Sequence, residues 1–270
     1  MPSAYRAQLD ALDSEIKALR PRERTEHFAA DPVAFAKLVG LELDEWQHRV
    51  VAGKQPRTIL LTSRQAGKST TAALIALHEA LFSPGSLTLL VSPSLRQSSE
   101  LFRKVSELRQ AVPWRVPLTE DNRLSMAVRG GGRVVSLPSS ESTVRGYSGV
   151  TLLVEDEAAR VDDALHLAVL PMLAVRRGRL ILMSSAWARR GHFFETWENG
   201  ANWHREKVTV YDVPRISPEW IEEQKATMPR SWFDSEYACV FVEPEDSVFA
   251  PADVYGALDE SIQPLFGGSH

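Results

Sequence analysis

Cys239 is the only cysteine in 270 residues, which excludes an internal disulfide and any cysteine-rich zinc cluster. Such scarcity fits a reducing compartment, so a cytoplasmic setting is expected and Cys239 reads as buried filler. No run approaches the ~20 apolar residues that a membrane-spanning helix needs. Near the start, Asp10, Asp13 and Glu15 stand where a secretory signal has basic and then apolar residues, so neither secretion nor membrane insertion is expected. Internal repeats and low-complexity segments are also missing. The net charge of −4 lacks the basic excess of a surface that coats nucleic acid throughout. Arg176, Arg177, Arg179, Arg189 and Arg190 leave two readings open, a local basic groove or an ordinary solvated face.

What is present is a globular composition, 44% hydrophobic and 24% charged, sufficient for one large or two modest domains. Apolar strands are expected at 58–63, 87–92, 133–137, 150–155, 179–184 and 204–211. Helices are expected near 68–81, 94–110, 162–170, 191–198, 218–227 and 230–237. This alternation implies an α/β fold, a mostly parallel sheet with helices on both faces, whose active site lies beyond the carboxyl ends of the strands. Upstream, Leu9, Leu12, Ile16 and Leu19 line one side of an amphipathic helix over 4–19, and Pro21 to Arg24 read as a charged break. Asp31 and Pro32 fit the cap and first position of a helix ending at Leu38, and a further helix carries Trp46 and Gln47. The division is therefore a helical extension over 1–30, a body over 31–243, and a linker over 244–270 rich in Pro, Asp and Gly.

Two segments carry chemistry. Ile59, Leu60 and Leu61 form a strand that runs into a turn and then a helix starting at Lys68. Gly67 lets the backbone approach a phosphate, Lys68 supplies a point charge for the β and γ oxygens, and Ser69 offers a hydroxyl to Mg²⁺. The helix start adds its own partial positive charge. Thr62 stands where the common pattern opens with Gly. The second segment is the strand Val150 to Val154, which ends in Glu155, Asp156 and Glu157. At its tip Asp156 can hold the water shell of Mg²⁺ and Glu157 can deprotonate an attacking water. Alternation along the strand points Glu155 to the opposite side from Asp156. The two segments in this order read as a Mg²⁺-dependent ATPase.

These residues resemble the large terminase subunits of tailed double-stranded DNA bacteriophages, the motors that pump a genome into an empty capsid. Ser63, Arg64, Gln65, Ala66, Gly67, Lys68 and Ser69, with Thr70 after them, are similar to that family's variant phosphate loop, in which Arg-Gln precedes one residue and then Gly-Lys-Ser. Trp46 and Gln47 look like its adenine-binding motif, and Val144, Arg145 and Gly146 like the segment that carries its arginine finger. Ser184 and Ser185, followed by Ala186, correspond to its coupling motif. Phe233 to Tyr237 and then Val248 and Phe249 look like the end of its ATPase domain.

The resemblance implies a P-loop NTPase of the RecA-like ASCE class that uses ATP and Mg²⁺ to translocate double-stranded viral DNA. The portal of the procapsid and the small terminase subunit are the implied partners, and the bacterial host cytoplasm the setting. Lys68, Glu157 and either Arg145 or Arg64, as the finger acting on a neighbour, would be catalytic. A homo-oligomeric ring follows from an arginine acting in trans, with a monomer expected in isolation. Asp246, Asp253, Asp259 and Glu260 are too few and too loop-like for a two-metal nuclease site, so nuclease activity is not expected. A helicase-like translocase, which needs a second lobe, and a nucleotide-binding assembly adaptor without turnover are the alternatives.

Overall fold

The computed structural model describes residues 21–137 and 146–243. The helix expected at 4–19, Arg145, and the stretch read as a linker lie outside them. The described chain runs α1 (Pro21–Ala30), α2 (Pro32–Leu38), α3 (Glu45–Ala52), β1 (Arg57–Thr62), α4 (Lys68–Phe82), β2 (Leu87–Val91), α5 (Leu95–Ala111), β3 (Leu118–Asp121), β4 (Ser125–Val128), β5 (Arg133–Ser136), β6 (Leu152–Asp156), α6 (Asp163–Val169), β7 (Arg179–Ser184), α7 (Gly191–Asn199), β8 (His204–Val208), α8 (Pro218–Thr227) and α9 (Arg230–Glu236). One eight-stranded sheet has the order β3-β4-β5-β2-β6-β7-β1-β8. The six strands from β5 to β8 are parallel, as the strand and helix alternation predicts.

Burial on both faces explains why these strands read as unbroken apolar runs. Alternate residues feed two cores. Leu60, Leu90, Val154, Ile181 and Met183 pack with α1 to α5 on one side. Ile59, Leu61, Leu89, Leu153 and Leu182 pack on the other with Leu165 and Phe193, from α6 and α7. Cys239 is buried in this second layer, where its thiol donates toward Val208 O at 3.3 Å and burial pushes its pKa up to about 12. A smaller third cluster joins Val210, Ile221 and Phe233 beneath α8 and α9.

Two elements differ from the sequence reading. β3 and β4 form an antiparallel hairpin at the sheet edge where no strand was expected. Each has four residues and is only partly buried, and Glu120 and Asp121 give β3 the look of a loop. Asn122 builds the turn, its Oδ1 accepting from Leu124 N at 3.0 Å and Ser125 N at 2.9 Å. The supposed break at Pro21 to Arg24 is the first turn of α1. That helix has almost no apolar stripe, yet its single Phe28 is fully buried, stacked on Trp114 and edge-on to Phe35. The carbonyl of Phe28 lies 2.8 Å from His78 Nε2 on α4. Residues 21–30 are thus part of the main core, in which one aromatic ring does the anchoring that periodicity does not advertise.

Phe28→Ala is therefore expected to cost ~3–5 kcal/mol of stability, as loss of a buried aromatic does. Urea unfolding checks this. A midpoint within error of the wild type would show that α1 is dispensable to the core.

Candidate nucleotide-binding site

The site begins where β1 runs out. Ser63 N still donates to Val208 O at 2.7 Å, and Arg64 N then turns to Glu236 O at 2.9 Å. The chain next passes through left-handed backbone at Gln65 (φ 62°) and at Gly67 (φ 98°) before entering α4. Gly67 meets two constraints at once, because a Cβ there would also stand 3.0 Å from Gln47 Nε2. Gly67 provides no side-chain cap, so the first amides of this 15-residue helix remain available to an anion.

Above the loop opens a cavity of about 800 Å³, lined by Ser63 to Thr70 together with Gln47, Gln97, Lys104, Glu157, Arg160 and Arg215, among others. Its charged lining comprises Arg64, Lys68, Lys104, Arg160 and Arg215 against Glu42 and Glu157, a balance suited to a polyanion. Arg215 is fixed by Asp44 at 2.7 Å and donates to Ala66 O at 3.1 Å, bracing the loop from outside.

Glu157 follows β6 in left-handed backbone (φ 53°, ψ 41°), an uncommon conformation for a side chain of this size. From there its carboxylate meets Lys68 Nζ at 2.8 Å and Arg160 Nη1 at 3.1 Å. Burial works to lower the Lys68 pKa, but Glu157 and Asp156 outweigh it and hold the ammonium above its ordinary value. Arg160 continues to Glu236 Oε1 at 2.9 Å, and Arg64 Nε meets Glu236 Oε2 at 2.9 Å. Ser185 Oγ donates to the same Oε2 at 2.9 Å. Burial pushes the Glu236 carboxyl up, yet Arg64, Ser185 and Arg160 together bring it below the usual range. The result is one chain of alternating charge, Lys68, Glu157, Arg160, Glu236, Arg64.

Asp156, at the end of β6, is 6% exposed and accepts from Glu157 N at 3.0 Å. Burial raises its pKa to about 6, against the pull of Lys68 and with the help of neighbouring Glu157. A buried carboxylate left under-compensated fits a divalent cation, which would supply the missing positive charge, and Asp156 with Ser69 could hold one. Glu155 projects through the sheet, as alternation predicts. There it is fully buried against His166 Nδ1 at 2.9 Å and His192 Nε2 at 3.1 Å, the two rings stacking at 3.9 Å. Each facing ring nitrogen is hydrogen-bonded to the carboxylate, so these three side chains satisfy one another.

The structure thus brings Ser63 to Thr70, Gln47 and Glu157 to one cavity, while Asp156, the residue before Glu157, is not among its lining. Three sequence expectations are modified. Trp46 does not line the cavity, because α3 turns its indole into the core. Gln47 is largely spent on structure: Oε1 accepts from Asp44 N at 2.8 Å and Nε2 donates to Thr71 Oγ1 at 2.8 Å. Ser184 and Ser185 are buried and do not line the cavity, Ser185 being linked to its lining residues Arg64 and Arg160 only through Glu236. Arg160, Arg215, Lys104 and Gln97 were not singled out from sequence, and Glu236 was named only within the segment Phe233 to Tyr237, with no site role. Of the first four, only Arg160, three residues after Glu157, had a local signal.

The raised Asp156 pKa has a sign that can be tested. A carboxyl whose folded pKa exceeds its unfolded value destabilises the fold once ionised, so the cost is complete above about pH 6 and vanishes as pH falls toward 3.8. Asp156→Asn is expected to stabilise the ligand-free protein by about 1–3 kcal/mol at about pH 8, with the gain fading on acidification. Equal urea midpoints at the higher pH would show that the ionised carboxylate is already compensated.

Comparison with known proteins identifies the family. The family model described as terminase large subunit, T4likevirus-type, N-terminal, matches residues 59–254. The terminase large subunit of Thermus phage G20c is 26% identical over 276 aligned residues, covering 88% of this chain and 55% of the relative. The chain therefore spans about half the length of that relative. Among solved structures, the large terminase ATPase domain of Thermus phage P74-26 is 21% identical with a TM-score of 0.66, covering 78% of this chain and 98% of that domain. A large terminase from a thermophilic bacteriophage, solved in complex with ADP, is 10% identical with a TM-score of 0.61, covering 74% of this chain and 54% of that one. These structures establish the RecA-like fold, and the family match over most of the chain establishes membership: the chain belongs to the terminase large subunit family, in its T4-like N-terminal class.

Proposed function

We propose that this chain is a Mg²⁺-dependent ATPase that drives double-stranded viral DNA into a procapsid. The observation that carries the reading is the 2.8 Å contact between Lys68, which opens the helix after the phosphate loop, and Glu157, which follows the acidic strand. That contact brings a phosphate-binding cation and a general base together at the cavity, where an incoming γ-phosphate would take the place of one for the other. The complexes of the thermophilic phage's large terminase with ADP and with ATP-γ-S support a nucleotide as the ligand.

The residues then divide the work. Lys68 and the amides that open α4 bind the phosphates, while Ser69 and Asp156 hold Mg²⁺, which when bound screens the phosphate charge. Lys68, once turned to phosphate, releases Glu157 to orient a water and accept its proton as the water attacks phosphorus and ADP leaves. Arg160 and Arg64 flank this centre as further cations. Arg145 completes the site of a neighbouring subunit in a homo-oligomeric ring, with Arg64 as the rival for that role. Double-stranded DNA, the portal and the small terminase subunit are the proposed partners, and the bacterial cytoplasm the setting. The isolated chain is expected to be monomeric and slow.

Two measurements test this. Glu157→Gln should keep ATP affinity while phosphate release falls ~10²–10⁴-fold, the usual worth of a general base; unchanged release sinks the assignment. Adding DNA to the release assay tests the coupling to translocation. For the finger, mixing Glu157→Gln with Arg145→Ala protein in a proven assembly should restore activity, since each supplies what the other lacks. Absence of rescue there would exclude Arg145 as the group acting in trans and turn attention to Arg64.

A further inference from the structure

We propose that His192 is a positioning residue for Glu157: carrying a proton on each ring nitrogen, it ties Glu155 to Asp163 and so closes the loop on which the general base sits. The inference rests on the ATPase reading above and finds the support of that loop on the opposite face of the sheet, away from the phosphates.

Glu155 is fully buried at the end of β6, so its charge has to be met at close range. His166 of α6 meets it with Nδ1 at 2.9 Å and His192 of α7 with Nε2 at 3.1 Å. The other ring nitrogen of His192, Nδ1, lies 3.0 Å from Asp163 Oδ1, which also accepts from the His192 backbone amide at 2.8 Å. An ionised carboxylate has no hydrogen to give, so His192 donates from both nitrogens and is an imidazolium. Among the described residues, Glu155, Asp163 and His166 are the charged or titratable side chains bonded to that ring or stacked on it. Burial works to lower the His192 pKa, but Glu155 and Asp163 outweigh it and hold the ring above the ordinary histidine value. One shared metal ion does not fit in place of the proton. The two rings are parallel to within 11° at 3.9 Å, and rings so stacked aim their in-plane lone pairs side by side, not at a common point.

The position of this bridge gives it a task. Glu155 and Asp163 bound the segment that carries Asp156, Glu157 and Arg160. Within it Glu157 holds left-handed backbone, a conformation that persists only where the surroundings fix it. The segment's own backbone bonds are short-range, Arg160 N to Glu157 O at 2.8 Å and Val161 N to Ala158 O at 3.2 Å. A neutral His192 has one nitrogen without hydrogen and gives up one of its two carboxylates, so closure of the segment then rests on His166 alone. Loss of the proton therefore loosens Glu157 from behind and leaves the phosphate loop untouched. The clasp is complete below the ordinary histidine value of 6.5 and is lost as pH rises through the raised value of the folded protein.

Nitrogen NMR of the histidine side chains in the whole, ligand-free chain tests the premise. His192, assigned by its absence from His192→Gln, should show both nitrogens protonated at about pH 7. A single neutral tautomer there overturns the proposal. Asp163→Asn, at a side chain 59% exposed, keeps the acceptor and removes the charge, and should bring the loss of the second proton down by about one pH unit. In the wild type kcat should fall on the alkaline side as that proton leaves, with KM little altered, and in Asp163→Asn the fall should move down with it. An alkaline limb that stays in place while the NMR titration moves overturns the positioning role. His192→Gln should lack that limb and run about tenfold or more below the wild type in kcat at about pH 7; an unchanged kcat there also overturns it. The amides of Arg160 and Val161 should exchange hydrogen faster in Asp163→Asn at a pH where only the wild type keeps the second proton, and equal protection counts against the clasp. Should the wild type release no phosphate at any pH, the ATPase reading fails, and the NMR and exchange measurements still decide whether His192 holds the loop.

Discussion

Everything at this site depends on a gap of two strand spacings. β1 and β6 are not neighbours; β7 lies between them and pairs with both. The loop after β1 and the tip of β6 therefore start roughly 10 Å apart, from the ~4.8 Å spacing of paired strands. A short side chain does not cross that distance. Lys68 crosses part of it with its long stem, and Glu157 the rest by adopting left-handed backbone that turns its carboxylate back over the sheet end. The uncommon φ of Glu157 is thus the consequence of the strand order.

Closing the gap with charges has a cost that differs along the chain of pairs. Lys68 and Glu157 are 12% and 19% exposed, so their mutual attraction is weakly screened and each depends on the other. Arg64, 57% exposed, gains little from Glu236 and loses little by leaving it, as exposed ends of ion pairs generally do. Glu236 itself is buried and cannot be left without a partner. The chain is therefore most enclosed at Lys68 and Glu157 and most open at Arg64. The raised pKa of Asp156 comes from burial in the same enclosed region, which Lys68 offsets only in part.

The sheet was legible because doubly buried strands spell themselves in consecutive apolar residues, as Ile59 to Leu61 and Leu152 to Val154 do. The phosphate loop and acidic tip were legible because their chemistry is local, a few residues in fixed order. Helix α1 was not, since one phenylalanine among charged residues has no period. Arg215 and Glu236 were not, being 149 and 172 residues from the loop atoms they touch, a separation only the folded topology closes. Trp46 and Gln47 part company. The motif put both residues beside the base, but one helix presents adjacent residues about 100° apart, so α3 sends Trp46 into the core while Gln47 lines the cavity beside the loop.

The same local geometry explains Thr62, which stands where a phosphate loop commonly opens with glycine. Thr62 is fully buried and still belongs to the sheet, paired with Val208, and Ser63 N extends that pairing by one more hydrogen bond. A glycine there would weaken the strand and gain nothing, because the backbone has not yet turned. The turn is made two and more residues later, with left-handed φ at Gln65 and Gly67 and with Arg64 N anchored on Glu236 O. What the common pattern obtains from an early glycine, this chain obtains from a carbonyl of α9. The fold of the phosphate loop is thereby tied to the segment whose carboxylate also pairs with Arg64 and Arg160.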